Sequence, residues 1–485
     1  VAARLGKNSR YRRDRVHHID DPSDRRSTPP PLLVSVRGRG ASRRDRFRTN
    51  RSLCVAVDDQ PAELARLGGL FHRQKKDGST VRQFHVGVVL ELPLEVGGGF
   101  QQGLSDITWL RGWAKTADIG VTVFTTQPNN IAILAELGIE AKLLRIGWFD
   151  RLFLFLKYCG WFDLLQYALR LCPPFEKRLI REHVDIVYFL TTSNWQLVLY
   201  KLPFIVTIFD GCHRDSPEFD EAREFAEFER REIVFRSAST KAALVVANAE
   251  EVIDALCRRY AMEQDRAVCI PFSPSPYVTR SSEAGEQTDA DGAILRKYGL
   301  EPGYLFYPAQ FWSHKNHATI LLAMSLLQKH GVQTTLVLCG SDRGSRSAIE
   351  ALAAQLGLGD RVRILGFVPS IELGPLYRNA AALVMASYFG PTNLPPLEAW
   401  SVGTPVIYPE AFKAQAGDAA ILFDYDNPAS LAEAIVKASL PEERARLATA
   451  GKERLEYFAR QIDDGHREFA QHLLRLRYRR YPRIY

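Results

Sequence analysis

The sequence predicts an α/β protein made of two doubly wound, parallel-sheet domains in tandem. Three observations carry this prediction. Short β-branched runs alternate with longer helical stretches, the pattern of repeated β-α-β units. The alternation comes in two series, divided by the polar stretch "SPSPYVTRSSEAGEQTDADGA" at 273–293. At 485 residues the chain is also too long for a single core, so two domains with appendages are expected.

Before the first series lies an Arg-rich leader, residues 1–83. Residues 1–85 hold 20 Lys and Arg against 9 Asp and Glu, so the +7 net charge belongs to this end and the other 400 residues stand at −4. The leader has no sustained apolar period and carries a Pro triplet, so it reads as a disordered extension. An arm for nucleic acid or for an anionic membrane is its other reading. Its first forty residues are too polar for a secretory signal. No run of eighteen uncharged apolar residues occurs, which excludes a membrane-spanning helix. The seven cysteines are odd in number and scattered, without C-x-x-C. That argues for a reducing cytoplasm, and against a disulfide framework or structural zinc.

The first domain is expected over 84–285. Its strands are "VGVVLELPL" (86–94), "IGVTVFTT" (119–126), "VDIVYFLTT" (184–192), "PFIVTIFD" (203–210) and "ALVVAN" (243–248). The 273–293 stretch reads as a linker or surface excursion. A second domain, 286–460, carries "YLFYPA" (304–309), "TTLVLCG" (334–340), "RVRILG" (361–366), "AALVMAS" (381–387), "TPVIY" (404–408) and "AAILFD" (419–424). Residues 461–485 form a basic amphipathic helix, expected to cross back onto the first domain. Two such domains leave a cleft, and ligands of open parallel sheets sit at the carboxyl ends of the strands.

Two passages of the second domain carry chemistry. In "YPAQFWSHKNH" (307–317), Lys315 follows a strand end and a polar turn. It reads as a solvated surface lysine or as a point charge for phosphate. In "YFGPTNLPPLEAW" (388–400), the prolines suit a helix start, where their missing N–H groups cost nothing. Asn393 or Thr392 is expected to cap, and the free amides make an anion site. Glu398, one turn in, is either a helix-start acid favoured by the dipole or a ligand contact.

Taken together, in this order and spacing, these passages resemble the retaining glycosyltransferases of family four, which have the GT-B fold. The family's Gly-Arg-x-x-x-x-Lys lies over Ala309-Gln310 to Lys315, and its paired glutamates lie over Gly390 and Glu398, followed by "VGTPVIY". "GGGFQQGL" (97–104) resembles the Gly-rich turn after the family's first strand, and "IFDGCHRDSPEF" resembles its "HDL-x-H-x-x-x-PEF" segment. The resemblance covers about 84–460. It implies Lys315 on a donor diphosphate and Glu398 on the ribose hydroxyls. Gly390, Thr392, Asn393 and Leu394 would offer amides to phosphate and sugar, and Gly98 and Gly99 would close over the reacting end. It further implies a nucleotide-diphosphate sugar as donor, no cofactor and no metal. The acceptor would be a saccharide or lipid-linked group in surface polysaccharide or glycolipid assembly.

Three positions depart from the family pattern. Gln310 replaces the family's Arg, with Arg343 as a substitute donor; Gly390 replaces the first glutamate; and Phe209 replaces the histidine of "HDL", although His213 remains. His213 reads as a catalytic sugar or acceptor ligand or as a structural histidine. The aromatic stretch "RIGWFDRLFLFLKYCGWFDLLQYALRL" (145–171) reads as core-packing helices or as an in-plane pair on a membrane. The expected location is therefore the cytoplasm, with the inner face of the membrane as the site of contact. The rival readings are a sugar-nucleotide epimerase, a transferase reduced to binding, and an Arg-armed nucleic-acid binder.

Overall fold

The computed structural model describes residues 83–93, 98–280 and 287–480. The expected disordered leader lies outside these residues, Gln83 apart. In the first domain seven parallel strands form one sheet: β1 Phe84–Leu90, β2 Ile119–Thr125, β3 Ala141–Leu143, β4 Ile186–Phe189, β5 Phe204–Ile208, β6 Leu244–Ala247 and β7 Ala267–Cys269. Their order is β3-β2-β1-β4-β5-β6-β7. The five strands read from sequence are all present. The short edge strands β3, Ala-Lys-Leu, and β7, Ala-Val-Cys, were not read from sequence.

The strand pattern builds two cores, since successive side chains point to opposite faces of a sheet. Val86, Val88 and Leu90 of β1 join Ile186 and Tyr188 of β4 on one face. Val89, Val187 and Phe189 pack on the other. On the first face lies helix α1, Gly98–Thr116, whose Ile107, Leu110 and Ala114 are buried. Helices α2, Trp148–Tyr158, and α3, Trp161–Leu169, follow β3 and set Phe153, Leu154 and Phe162 against the second core.

The second domain repeats the plan with six parallel strands: β8 Tyr304–Pro308, β9 Leu336–Cys339, β10 Val362–Ile364, β11 Ala380–Val384, β12 Val406–Pro409 and β13 Ile421–Phe423, in the order β10-β9-β8-β11-β12-β13. All six are at the expected places. Helix α4, Leu394–Ser401, follows β11 with Pro395 and Pro396 in its first turn. The stretch 273–293 differs from the linker reading: it holds a short helix at Pro276–Arg280, and Gln287–Tyr298 is helical. Val278 and Leu295 supply the reason, because both are buried in the second domain's core.

The closing helix is longer than the sequence suggested. Helix α5 runs unbroken over forty residues, Pro441–Arg480. Leu447 and Phe458 pack in the second domain's core, while Phe469 and Leu473 are buried in the first domain's. Trp109 of α1 stacks on His466 at 4.0 Å between ring centres. Gly465 permits this crossing, since a Cβ there would overlap the Cys269 carbonyl oxygen. No described helix is long and apolar enough to cross a membrane.

Candidate functional site

Each sheet reverses its strand order once, between β1 and β4 in the first domain and between β8 and β11 in the second. Ligands of doubly wound sheets lie in the crevice at the carboxyl ends of such strands. In the second domain that crevice is lined by Lys315, after β8, and Ser387, after β11. Lys315 Nζ donates to Ser387 Oγ at 3.5 Å, a long bond. Lys315 is half-buried, and burial pushes its pKa down to about 8 despite the opposing charges of Asp210 and Glu221. Asp210 and Glu221 belong to the first domain, so the lysine stands where the two domains meet.

The turn 390–393 is held from beneath. Asn393 N–H donates to Gln415 Oε1 at 2.8 Å, Gln415 Nε2 donates to the Asn393 carbonyl at 2.7 Å, and Asn393 Nδ2 donates to the Gly390 carbonyl and to Tyr408 Oη. This corrects the capping expectation: no side chain caps α4, because Asn393 is spent inside the turn and Thr392 accepts from Asn248 Nδ2 of the first domain. Gly390 has φ +115°, and a Cβ there would sit 2.9 Å from Asn393 Oδ1. A glutamate cannot take that backbone conformation without strain, which is a physical account of the departure at this position. Leu394, the first residue of α4, is half-buried.

Glu398 lies on the buried side of α4 and accepts from Tyr377 Oη at 2.7 Å. Burial raises its pKa to about 7, the tyrosine bond opposing. Gln310 Oε1 accepts from Trp312 Nε1 at 2.9 Å and from Arg343 Nε at 3.4 Å. Arg343 therefore stands next to the residue whose missing charge it was a candidate to replace. Gly98 and Gly99 open α1 directly beyond β1, at the carboxyl edge of the first sheet; residues 94–97 of the same turn are outside the described residues.

His213 is not brought to this group. Its ring is fully buried against Phe228 and Phe235, with Nε2 3.1 Å from Glu232 Oε1. Burial lowers its pKa, and nothing in this arrangement exposes it to a substrate. The structural reading of this histidine fits the geometry, and the catalytic one does not.

Sequence reasoning missed the residues that join the domains. Glu221 accepts from Ser313 Oγ at 2.7 Å, from His314 N–H at 3.2 Å and from His314 Nδ1 at 2.5 Å. The imidazole stacks on Phe389 at 3.9 Å, and burial pushes its pKa down to about 4, so it meets Glu221 as a neutral donor. The only sequence signal was that Glu221 lies just beyond the "PEF" match. Also missed was Glu91, directly after β1. Its pKa is pushed up to about 7 by burial, with Ser193 and Arg230 opposing, and its Oε1 is buried without a hydrogen-bond partner among the described residues. Glu91 and Ser193 thus occupy the reversal crevice of the first sheet as Lys315 and Ser387 occupy that of the second. A strand-end acid inside an apolar run was the available signal.

Residues 294–454 match the family model "Glycosyl transferases group 1". Among curated relatives, the D-inositol 3-phosphate glycosyltransferase of Streptomyces coelicolor is 29% identical over 180 residues, 34% of this chain and 39% of that protein. The O-antigen chain mannosyltransferase B of Escherichia coli is 28% identical over 161 residues, 32% of this chain and 42% of that one. The match therefore spans about two fifths of each of these relatives. Anabaena HepE, solved in complex with UDP-glucose, superimposes with a TM-score of 0.60 at 16% identity, covering 80% of this chain and 99% of its own. At that identity the likeness speaks for the fold. The described chain has the two-domain GT-B fold, and its second domain is similar to group 1 glycosyl transferases.

Proposed function

We propose that this protein is a retaining, metal-independent glycosyltransferase that moves a sugar from a nucleotide-diphosphate donor to a saccharide or lipid-linked acceptor. The observation that carries the reading is the second domain's reversal crevice, where Lys315 Nζ lies 3.5 Å from Ser387 Oγ beyond β11; the reading adds N–H groups of Gly390, Thr392 and Leu394 for the phosphates and Glu398 for the ribose. A departing nucleoside diphosphate gains negative charge, which a fixed ammonium and preorganised N–H donors stabilise. Glu398, ionised, accepts from ribose hydroxyls. Glu91 and Ser193 across the cleft present polar atoms to an acceptor hydroxyl. Among the described residues we assign no side chain as a nucleophile. The acceptor oxygen therefore attacks C1 on the face the diphosphate leaves, and its proton passes to a departing phosphate oxygen. Similarity to a mannosyltransferase of O-antigen chains favours surface-glycan assembly as the setting.

A thermal-shift screen against UDP-, GDP-, ADP- and dTDP-sugars tests the reading, because a ligand that binds the native state raises its melting temperature by mass action. One nucleotide class should stabilise the protein in a Lys315-dependent way. No shift with any of them would refute the donor site.

A further inference from the structure

Helices α2 and α3 are apolar on two sides. Their inner side packs into the first domain through Phe153, Leu154 and Phe162. A helix on the surface of a soluble protein ordinarily turns a polar face outward. Here the outward residues Trp148, Phe149, Phe155, Trp161, Leu164 and Tyr167 are each at least 60% exposed, and Tyr167 reaches 87%. Single exposed apolar residues need no explanation, but a grouped set of large ones marks an interaction surface.

The charges around this face are one-sided. Arg145, Arg151, Arg170, Lys177 and Arg181 are exposed, and none forms an ion pair among the described residues. The acids of the same segment are neutralised or hidden. Asp150 is buried and paired with Arg178 at 2.9 Å; Glu176 is buried and accepts from the N–H groups of Tyr200, Lys201 and Leu202. Asp163 is bridged by Lys157 at 2.7 Å. Apart from Asp163, whose exposed carboxylate is bridged by Lys157, what reaches solvent is chiefly Trp, Tyr, Phe and Leu fringed by cations. Indole and phenol rings favour the headgroup level of a bilayer, and basic side chains add attraction to anionic lipid.

The face is also continuous with a cavity of about 520 Å³ at the carboxyl edge of the first sheet, lined by Thr126, Gln127 and Trp195 and walled by Arg151, Phe155 and Tyr158 of α2. Tyr158 Oη donates to Asn194 Oδ1 at 2.9 Å, which ties this wall to the segment after β4 that holds Ser193. We propose that α2 and α3 dock the protein on an anionic lipid surface, with the mouth of this cavity turned toward the lipid. The docking stands by itself; only the inference that the cavity admits the head of a lipid-linked acceptor rests on the proposed transfer reaction.

Flotation of the full chain with vesicles tests the docking without any activity measurement. The probes are pure phosphatidylcholine vesicles and vesicles with about 30% phosphatidylglycerol, at low and high salt. The protein should float with the anionic vesicles and be released as salt rises. The pair Trp161→Ser with Tyr167→Ser, away from the cavity, should lower the bound fraction about tenfold or more while leaving the melting curve unchanged. Arg145→Glu with Arg170→Glu should abolish the preference for anionic lipid. Failure of the wild type to bind would overturn the proposal. So would binding that survives both variants, which would assign it to another part of the chain. A dimer in sedimentation that W161S/Y167S dissolves, without vesicle binding, would make the face a contact between copies. A positive nucleotide-sugar shift with no flotation would leave the donor reading standing and remove this one.

Discussion

Donor affinity should depend on pH as a narrow bell, and the structure sets its width. Lys315 must be protonated to meet a diphosphate, and its pKa stands at about 8. Glu398 must be ionised to accept from a ribose hydroxyl, and its pKa stands at about 7. About six tenths of the free protein carries both forms at pH 7.5, against about one tenth at pH 6 or pH 9. Affinity should therefore fall about sixfold on either side of the optimum. The sign follows from each group: the acid limb is lost as Glu398 gains a proton, the alkaline limb as Lys315 loses one. Neighbours of the lysine do not confuse the window. His314 titrates at about 4, Asp210 and Glu221 are held below the usual carboxylate range, and burial pushes the Cys212 thiol far up. Glu91 and Asp106 do stand near 7, but in the first domain. Calorimetric titration with the nucleotide sugar selected by the thermal screen reads the profile, because its pyrophosphate diester does not titrate there. Lys315→Arg should flatten the alkaline limb, since a guanidinium stays charged, and Glu398→Gln the acid limb. A constant affinity from pH 6 to 9, or an alkaline limb that persists in K315R, would refute the assignment.

Other expectations are simpler to state. Lys315→Ala should lower turnover roughly a hundredfold with little change in melting temperature; unchanged turnover would remove the diphosphate role. Gly390→Glu, which restores the acid of the resembling family, should destabilise by roughly 1–3 kcal/mol and weaken nucleotide binding. A gain in turnover at constant stability would show that the turn tolerates the acid. Asp106 lies on the buried side of α1 and accepts from Gln102 Nε2 at 2.7 Å, and burial raises its pKa to about 7. A raised carboxyl costs stability that is absent below its unfolded pKa and complete above the folded one. Asp106→Asn should therefore raise the melting temperature at pH 8, by a free energy on the order of a few kcal/mol, and hardly at all near pH 4; equal shifts at both would contradict the burial argument. Chelation should leave turnover intact, because Lys315 and backbone amides meet the leaving charge; loss in EDTA restored by magnesium or manganese would contradict the metal-free route.

Local pattern determined much of this protein. β-branched runs marked every strand of four or more residues, and the strand ends before Lys315 and Gly390, visible in sequence, marked places for an anion; the nucleotide sugar itself was what the resemblance to family-four glycosyltransferases implied. What the sequence could not decide depends on contacts across distance. Glu221 and His314 are 93 residues apart, and Asn248 and Thr392 are 144 apart; no spacing rule links such pairs, and only the packing of the two sheets brings them together. The same holds for His213, whose ring is hidden by Phe228 and Phe235 from a helix that follows it. Burial also set the titration of Lys315, Glu398 and Glu91, which composition leaves at ordinary values. The outward face of α2 and α3 was undecidable for a related reason: helical period shows that a face is apolar, and only the tertiary structure shows whether the core covers it. Here the core takes one side, and the aromatic other side is left to solvent.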